Sequence, residues 1–165
     1  KVMTKSRKIK TLKELVRIRK GLKRLEKTVV FTNGCFDVLH RGHIEYLKKA
    51  RSMGDVLIVG INSDSSVREI KGKKRPIVPQ GDRAEIIASL EMVDYVFIFR
   101  ETTPFKVILN LVPDVLVKGG DYTVDKIVGN KIVESAGGRV ITAKQVPGRS
   151  TKNIIRKIVD RYSPA

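Results

Sequence analysis

The fold is decided by one stretch of sequence, Asn33-Gly34-Cys35-Phe36-Asp37-Val38-Leu39-His40-Arg41-Gly42-His43. An apolar, β-branched run at 28–31 comes directly before it, and a helical pattern at 44–51 follows directly after it. A continuous apolar run is typical of a strand that is buried on both faces of a parallel sheet. The stretch is therefore predicted to be the loop between such a strand and the N-terminus of a helix.

Both histidines of the chain lie in this loop, as His40-x-Gly42-His43. A helix N-terminus presents free N–H groups and the positive end of the helix dipole, so it attracts phosphate. Two imidazoles at that point could donate to phosphate oxygens and stabilise charge that develops during group transfer. Gly42 has no Cβ, so a phosphate could approach the backbone there. A histidine near a helix start can also be an ordinary cap, but the strand–loop–helix context favours the functional interpretation.

The chain has 165 residues, which is enough for one domain with a hydrophobic core. We predict a basic flexible tail at 1–8 and a single domain at 9–165. Thr11-x-x-Glu14 predicts a capping box for an amphipathic helix at 9–27, which should pack on the domain. No apolar run reaches the roughly 20 residues that span a bilayer, so no membrane partner is expected. The single cysteine fits a reducing cytoplasm, which is the predicted location.

The net charge of +17 raises the question of nucleic-acid binding. Residues 1–27 carry 12 Lys and Arg against 2 Asp and Glu, so most of the excess belongs to an N-terminal arm. Aromatic residues make up only 5% of the chain and Trp is absent, which leaves little surface for stacking bases. A solvated basic helix is therefore the preferred interpretation of this arm.

Strands and helices alternate along the rest of the chain. Strands are predicted at about 28–33, 55–62, 94–99, 113–117 and 139–142. Helices are predicted from the histidine motif to about 53, after 62–66, at 83–91 behind a capping box Asp82-x-x-Glu85, from Pro104 as the first helical residue, at 124–136, and after a cap at Ser150 or Thr151. This order predicts an α/β fold, a Rossmann-like doubly wound sheet of five parallel strands with helices on both faces.

Two polar segments follow predicted strands or helices at the edge of the sheet where ligands bind in open α/β folds. The first is the basic run Lys71-Gly72-Lys73-Lys74-Arg75-Pro76, which composition alone would also allow as a solvated loop. The second is Lys118-Gly119-Gly120-Asp121-Tyr122, in which Lys118 could contact a phosphate and Asp121 a hydroxyl group, although Gly-Gly-Asp is also an ordinary turn. Arg83 opposes the helix dipole in a first turn, and this local misfit is a mild indication of function.

The motif Gly34-x-Phe36-Asp37-x-x-His40-x-Gly42-His43 resembles the signature of the HxGH nucleotidylyltransferase superfamily, in its cytidylyltransferase-like branch. The resemblance implies transfer of a nucleoside monophosphate to a phosphorylated acceptor, without a covalent intermediate and with Mg²⁺ bound through the ATP phosphates. Segments 31–37, 71–77, 93–96 and 118–122 come in the same order as in bacterial heptose 1-phosphate adenylyltransferases, which make the ADP-heptose precursor of lipopolysaccharide. The resemblance covers nearly all of residues 9–160.

The resemblance also implies roles for individual residues. It implies catalytic roles for His40, His43, Lys73 and Arg83, and nucleotide contacts from Cys35, Phe36, His40, Gly42, His43, Lys74, Gly119, Asp121, Ser150 and Thr151. Acceptor contacts are expected from Lys71 and Lys118, and no protein-bound metal is expected. The chain departs from the usual Cys-Ser-Thr-Thr run of this group, because Arg149 precedes the Ser-Thr pair and Lys152 follows it.

Three interpretations of function follow from these residues. The first is an adenylyltransferase that uses ATP and a heptose 1-phosphate. The second is a cytidylyltransferase that acts on glycerol 3-phosphate, and the third is a non-catalytic basic module that binds nucleic acid. For the first, the resemblance further implies a homodimer and a sugar kinase as a functional partner, either on a separate chain or with this chain as a fragment of a longer protein.

Overall fold

Five parallel strands form one sheet in the computed structural model, which describes residues 6–120, 123–144 and 147–163. The strands are β1 (Val29–Gly34), β2 (Val56–Asn62), β3 (Tyr95–Phe99), β4 (Val115–Gly119) and β5 (Arg139–Ala143). Their spatial order is β3-β2-β1-β4-β5, and every neighbouring pair is parallel. The predicted doubly wound, five-stranded α/β fold is therefore confirmed.

Helices cover both faces of the sheet in the described part of the chain. They are α1 (Leu12–Arg24), α2 (Arg41–Arg51), α3 (Asp64–Lys71), α4 (Gln80–Ala88), α5 (Phe105–Leu111), α6 (Asn130–Ser135) and α7 (Thr151–Tyr162). Buried apolar residues of α2 and α4 pack on one face, and those of α1, α5 and α6 pack on the other. Among the described helices, none combines the length and the apolar character needed to cross a membrane.

The N-terminal helix packs on the domain as predicted. Thr11 and Glu14 form both halves of the capping box, and Leu15 is fully buried in the core. The segment before the helix differs from the predicted free tail, because residues 6–10 lie along the outer edge of β3. The Lys10 amide donates to the Val96 carbonyl at 2.8 Å, and the Val96 amide donates to the Lys8 carbonyl at 3.0 Å. The tail boundary predicted at residue 8 is thus wrong for 6–8.

Three predicted helix boundaries are also wrong. Helix α4 begins at Gln80 behind Pro79, and the Glu85 carboxylate accepts from the Ser6 amide instead of closing a capping box with Asp82. Pro104 is the N-cap of α5 and not its first residue. The single helix predicted at 124–136 is a 3-10 turn followed by α6, because Gly129 with φ +87° interrupts the helical path.

The order of the strands places a crevice at one defined point. Strand β1 leads through α2 to β2 on one side, whereas its other neighbour is β4. At such a reversal the connections leave the sheet on opposite faces, so a crevice opens at the carboxyl ends of the two strands. Gly34 ends β1 and Gly119 ends β4, and both line the cleft described below.

Gly54 lies in the connection between α2 and β2, and it supplies a stability test of how closely this connection packs on the start of β1. A Cβ at Gly54 would lie 2.7 Å from Val30 Cγ2 and 2.8 Å from the Thr28 carbonyl oxygen. We expect Gly54→Ala to lower the free energy of unfolding by about 1–3 kcal/mol, because the clash includes backbone that cannot move freely. Gly21→Ala is the control: it lies inside α1 with no atom within 4 Å, and it should raise stability by about 0.5–1 kcal/mol. Urea unfolding of both variants measures the difference, and equal effects would contradict the packing described here.

Candidate active site

A cleft of about 840 Å³ opens at the carboxyl ends of the strands, a size typical of small-molecule sites. The histidine loop, the basic loop after α3, the end of β4 and the start of α7 all contribute to its walls. Its described lining includes the cations Lys71, Arg75, Lys118, Lys126, Lys144, Arg149 and Lys152, and one carboxylate, Asp37. So many cations around one space repel each other, and an arrangement of this kind is suited to a polyanionic ligand.

His40 has two functions at the start of α2. Its Nδ1 atom accepts from the Gly42 amide at 3.1 Å and thereby caps the helix. The capping bond uses the lone pair on Nδ1, so the proton of the neutral ring lies on Nε2 and is free to be donated. A Cβ at Gly42 would lie 3.0 Å from the His40 ring and 3.2 Å from Arg149 Cβ. Gly42 is therefore needed for the close approach of these two side chains.

The His43 ring stacks on the His40 ring, with the ring centroids 3.9 Å apart. The Phe36 ring covers it from another side at 5.4 Å. Burial, and secondarily the neighbouring His40, lower the pKa of His43 to about 4, and burial also lowers the pKa of His40. Both rings are thus neutral near pH 7, and His43 Nδ1 is buried without a hydrogen-bond partner among the described residues. Neutral imidazoles in a cation-lined cleft serve as hydrogen-bond donors and add no charge repulsion.

The lowered pKa of His43 makes stability depend on pH. In the unfolded chain His43 binds a proton below about pH 6.5, whereas the folded protein binds it only near pH 4. The unfolded state thus holds more protons between these values, and stability falls as the pH falls through this window. We expect His43→Asn to reduce that fall by up to about 3 kcal/mol between pH 7 and pH 4. Urea unfolding of both proteins across this range measures it, and identical slopes would refute the assignment.

The loop between β1 and α2 carries backbone strain. Phe36 and Val38 have φ values of +48° and +52°, a region that non-glycine residues rarely adopt. Asp37 lies between them, and its side chain is fully buried. Its carboxylate accepts from Arg75 Nε and from the amides of Ile77 and Val78, all within 3.0 Å. These bonds offset the strain and hold the loop in place.

Lys118 lies on the cleft floor at the end of β4. Its ammonium is 3.5 Å from Asn33 Oδ1, and among the described residues it has no carboxylate partner. Burial lowers the pKa of Lys118. Tyr46 donates to the Val117 carbonyl at 3.1 Å and is also bonded to Thr32 Oγ1, which ties α2 to β1 and β4. Within the described part of the chain, the cleft floor therefore presents a half-buried cation without an anionic partner.

Cys35 and Phe36, which are predicted to contact the nucleotide, both line the cleft. Burial raises the pKa of the Cys35 thiol. The thiol is therefore protonated near neutral pH, which fits a packing residue and not a nucleophile.

Arg83 lies away from the place that the sequence predicts. The residue is 1% exposed, and it does not line the cleft. Its guanidinium donates to the carbonyls of Val78 and Cys35 and to Asp64 Oδ1, at 2.5–2.9 Å. With these donors engaged, Arg83 does not fit the predicted phosphate contact, and its geometry is that of a residue that braces the histidine loop.

The basic run at 71–76 contributes two cations to the cleft. Neither of them is Lys73, which is predicted to be catalytic, or Lys74, which is predicted to bind the nucleotide. Lys71 and Arg75 line the cleft, whereas Lys73 and Lys74 are exposed and lie outside its lining. The structure therefore does not support a catalytic position for Lys73 or a nucleotide contact for Lys74. Arg75 was missed because its contact with Asp37 joins residues 38 positions apart. The Arg75-Pro76 pair that follows the two lysines was the sequence feature that could have pointed to Arg75.

The start of α7 forms the opposite wall. Ser150 Oγ accepts from the Asn153 amide and caps the helix, as predicted. Thr151 Oγ1 donates to the Asp37 carbonyl at 2.7 Å, so its proton is not available to a phosphate, while its backbone amide lies in the first turn. Gly119 lines the cleft with Ser150 and Thr151. Asp121, also predicted to bind nucleotide, lies outside the described residues.

The described residues do not offer a metal site of their own. No three His, Cys, Asp or Glu side chains come together in residues 6–120, 123–144 and 147–163. The one described carboxylate of the cleft, Asp37, is buried with its oxygens bonded to protein donors. It therefore does not fit the role of a magnesium ligand.

Stacked neutral histidines at a helix start, in a cation-lined cleft at a sheet switch point, form the candidate active site. The sequence model of the cytidylyltransferase-like family matches residues 31–162. The chain belongs to this cytidylyltransferase-like family.

Curated relatives are much longer than this chain. It is 56% identical over 155 residues to the bifunctional protein HldE of Geobacter sulfurreducens, an alignment that covers 94% of this chain and 32% of the relative. It is 53% identical over 150 residues to the bifunctional protein HldE of Aliarcobacter butzleri, with 91% and 31% covered. The chain thus spans about a third of the length of the curated relatives that it matches.

Solved structures share the fold. A lipopolysaccharide core biosynthesis protein from Thermoplasma volcanium has a TM-score of 0.59 and 30% identity, with 73% of this chain and 97% of that chain covered. A pantoate-β-alanine ligase from Francisella tularensis has a TM-score of 0.56 at 17% identity, with 92% and 77% covered, and it supports the fold alone.

Proposed function

We propose that this chain transfers AMP from ATP to a heptose 1-phosphate and releases pyrophosphate, forming an ADP-sugar. The observation that carries the proposal is the pair of stacked, neutral histidines at the start of α2, inside a cleft lined by cations. Phosphoryl-type transfer needs little covalent help from a protein, so positioning and electrostatic stabilisation provide most of the rate. The cleft supplies both.

In the proposed reaction an oxygen of the sugar phosphate attacks the α-phosphorus of ATP in line. The bond between the α-phosphorus and the bridging oxygen breaks, and pyrophosphate leaves with the electron pair. His40 Nε2–H and the His43 ring donate to oxygens whose negative charge grows in this step. Ser150, with the free amides of the first turn of α7, holds the triphosphate tail.

The acceptor is proposed to bind over the cleft floor. Lys118, which has no described anionic partner, neutralises the phosphate of the acceptor, and Lys71 supplies a second positive charge. The hydroxyl groups of Thr102 and Thr103 line the same cleft and can pair with sugar hydroxyls. These groups suit an acceptor that carries several hydroxyl groups.

The choice of heptose also draws on the comparisons. Close relatives are called bifunctional protein HldE, and a solved relative is called a lipopolysaccharide core biosynthesis protein. Both fit the sequence resemblance to heptose 1-phosphate adenylyltransferases. The two alternatives, glycerol 3-phosphate cytidylylation and nucleic-acid binding, receive no comparable support.

A pyrophosphate-release assay tests this proposal directly. With Mg²⁺ present, ATP and CTP are each combined with β-heptose 1-phosphate and with glycerol 3-phosphate. We expect release only with ATP and the heptose phosphate. Release only with CTP and glycerol 3-phosphate would overturn the substrates while keeping the site, and no release from the folded protein in any pair would overturn the proposal.

Mg²⁺ and the partners belong to the same proposal. Mg²⁺ is proposed to arrive on the ATP phosphates, since Asp37 is the one carboxylate of the described cleft lining and its oxygens are bonded to protein donors. A sugar kinase would supply the 1-phosphate, either as a separate chain or as part of a longer protein. A cytoplasmic location stays a prediction from the single cysteine.

A homodimer is also proposed. The surface of α7 leaves Ile158, Val159 and Tyr162 at least half exposed, and such an apolar stripe suits contact with a second copy. Sedimentation equilibrium measures the mass, and we expect Tyr162→Glu to shift it toward the monomer. A monomeric wild-type protein at micromolar concentration would contradict this part.

A further inference from the structure

Arg75 is the least exposed cation of the basic run at 71–76. Its side chain is 18% exposed, in contrast to the exposed Lys73 and Lys74 of the same loop. Its Nε atom lies 2.5 Å from Asp37 Oδ2. A long cationic side chain normally loses much conformational freedom on binding a ligand, and this one has already lost part of it.

The carboxylate that holds Arg75 is itself fixed. Asp37 has a fully buried side chain and accepts from the amides of Ile77 and Val78, the residues just beyond Arg75-Pro76. Burial by itself would raise the pKa of Asp37, but the Val78 and Ile77 amides and the Arg75 guanidinium together hold it below its ordinary value. Asp37 thus stays ionised at neutral pH and keeps its bond to Arg75.

The rest of the guanidinium remains available. Among the described residues, Asp37 is the acceptor of Arg75, and it engages Nε; no described protein acceptor bonds Nη1 or Nη2. Arg75 lines the same cleft as His40 and His43. A planar guanidinium whose Nε–H is bound to a carboxylate can still donate from its terminal nitrogens to a phosphate.

Asp37 also connects the Arg75–Asp37 pair to the histidine loop and to the start of α7. Its backbone carbonyl accepts from Thr151 Oγ1 at the start of α7, and its neighbours Phe36 and Val38 have positive φ. One buried residue therefore connects the histidine loop, the basic loop and the first turn of α7. The Thr151 contact uses the backbone carbonyl of Asp37, so it is kept when only the Asp37 side chain is changed.

We propose that Arg75 is a phosphate-binding residue of the cleft and that Asp37 is the positioning residue that holds it. The ligand is a phosphate group, carried by the nucleotide or by the acceptor, and this identity rests on the proposed function. Lysines 73 and 74 of the same loop are not part of this contact.

Calorimetric titration of the whole chain with ATP, without an acceptor, tests the nucleotide as the source. A guanidinium–phosphate bond is a strong, charge-assisted one, so Arg75→Ala is expected to weaken binding by about 10- to 100-fold. Arg75→Lys keeps a cation beside Asp37, so the buried carboxylate is not left without a partner. Its affinity for ATP should still fall at least about 10-fold, because one ammonium cannot replace the forked N–H donors of a guanidinium. Calorimetry with β-heptose 1-phosphate and a non-reacting ATP analogue tests the acceptor in the same variants.

The chain contains a matched control for these variants. Arg19 Nη2 lies 2.7 Å from Asp114 Oδ1, and Asp114 also accepts from a backbone amide, yet this pair is outside the cleft. Arg19→Lys should change stability while leaving both affinities within twofold. Weakened ATP binding in the Arg75 variants assigns the nucleotide phosphate, and weakened sugar-phosphate binding alone assigns the acceptor phosphate. Both affinities within twofold of wild type would overturn the proposal.

Double variants separate positioning from simple loss of structure. In Asp37→Asn the negative charge is lost, and the amide NH2 must face either Arg75 Nε or the backbone amides of residues 77 and 78, so the anchor of the guanidinium is weakened. We expect Asp37→Asn to weaken binding of the same ligand by about 10-fold, but to add little when combined with Arg75→Ala. A full, additive loss in the double variant would contradict positioning through Arg75. The titrations need no turnover, so a failure to transfer AMP to heptose 1-phosphate would leave this test of the ATP contact valid.

Discussion

Replacing His43 with alanine is expected to lower kcat by about 10²- to 10³-fold while the protein stays folded. The reason is that the neutral His43 ring donates to oxygens whose charge grows only as the bond to pyrophosphate breaks. The affinity for ATP should change much less than kcat, because the cations around the triphosphate remain. Pyrophosphate release at saturating substrates measures the rate, and calorimetry with ATP measures the affinity. A normal kcat would end the proposed mechanism.

His40 permits a sharper version of the same test. Its ring caps α2 through Nδ1, so alanine there removes both a cap and a donor. Asparagine is a good N-cap but has no imidazole. We expect His40→Asn to keep most of the stability and lose about 10²-fold in kcat, and His40→Ala to lose about 1 kcal/mol of stability in addition. Equal rates in His40→Asn and the wild type would show that His40 is only a cap.

Replacing Lys118 with methionine is expected to have opposite effects on activity and on stability. The buried ammonium has Asn33 as its described partner and no described carboxylate, so the free protein bears the cost of desolvating it. Methionine has a similar length and no charge. We expect kcat/KM for the sugar phosphate to fall by at least about 10²-fold, because a buried phosphate contact is lost. The melting temperature should rise by roughly 2–4 °C.

Lys20→Met is the control for this prediction, because Lys20 is exposed on α1 and outside the cleft. It should leave both the kinetics and the melting temperature close to those of the wild type. Steady-state kinetics with varied acceptor and a thermal melt of each variant give the two readings. A Lys118→Met protein that melts lower and keeps its KM would show that Lys118 is a structural residue.

The fold could be predicted from the sequence because its strands are read from local patterns. The apolar runs at β1, β2 and β4 match the observed strands within two residues, since strands buried on both faces need continuous apolar sequence. One helix start was predicted wrongly because a distant contact competed with a local signal. Glu85 was predicted to cap its own helix, but it bonds the Ser6 amide, which lies 79 positions away.

The site was only partly predictable for the same reason. His40 and His43 are close in sequence, and a loop before a helix places them together whatever the rest of the fold does. The functions of Arg75 and Arg83 depend on Asp37 and Asp64, which other elements bring to them. Sequence alone therefore identified a basic loop without showing that Arg75, and not Lys73 or Lys74, faces the cleft.

Incubation with ATP labelled with ³²P at the α-phosphorus tests the central claim most directly. The mixture contains the chain, Mg²⁺ and β-heptose 1-phosphate, and its products are separated by chromatography. If the cleft transfers AMP, the label moves into the ADP-sugar in amounts equal to the pyrophosphate released, and this transfer falls by at least about 10²-fold in His43→Ala. Label that ends in free ADP, or label that stays in ATP while the folded protein is present, would contradict the account.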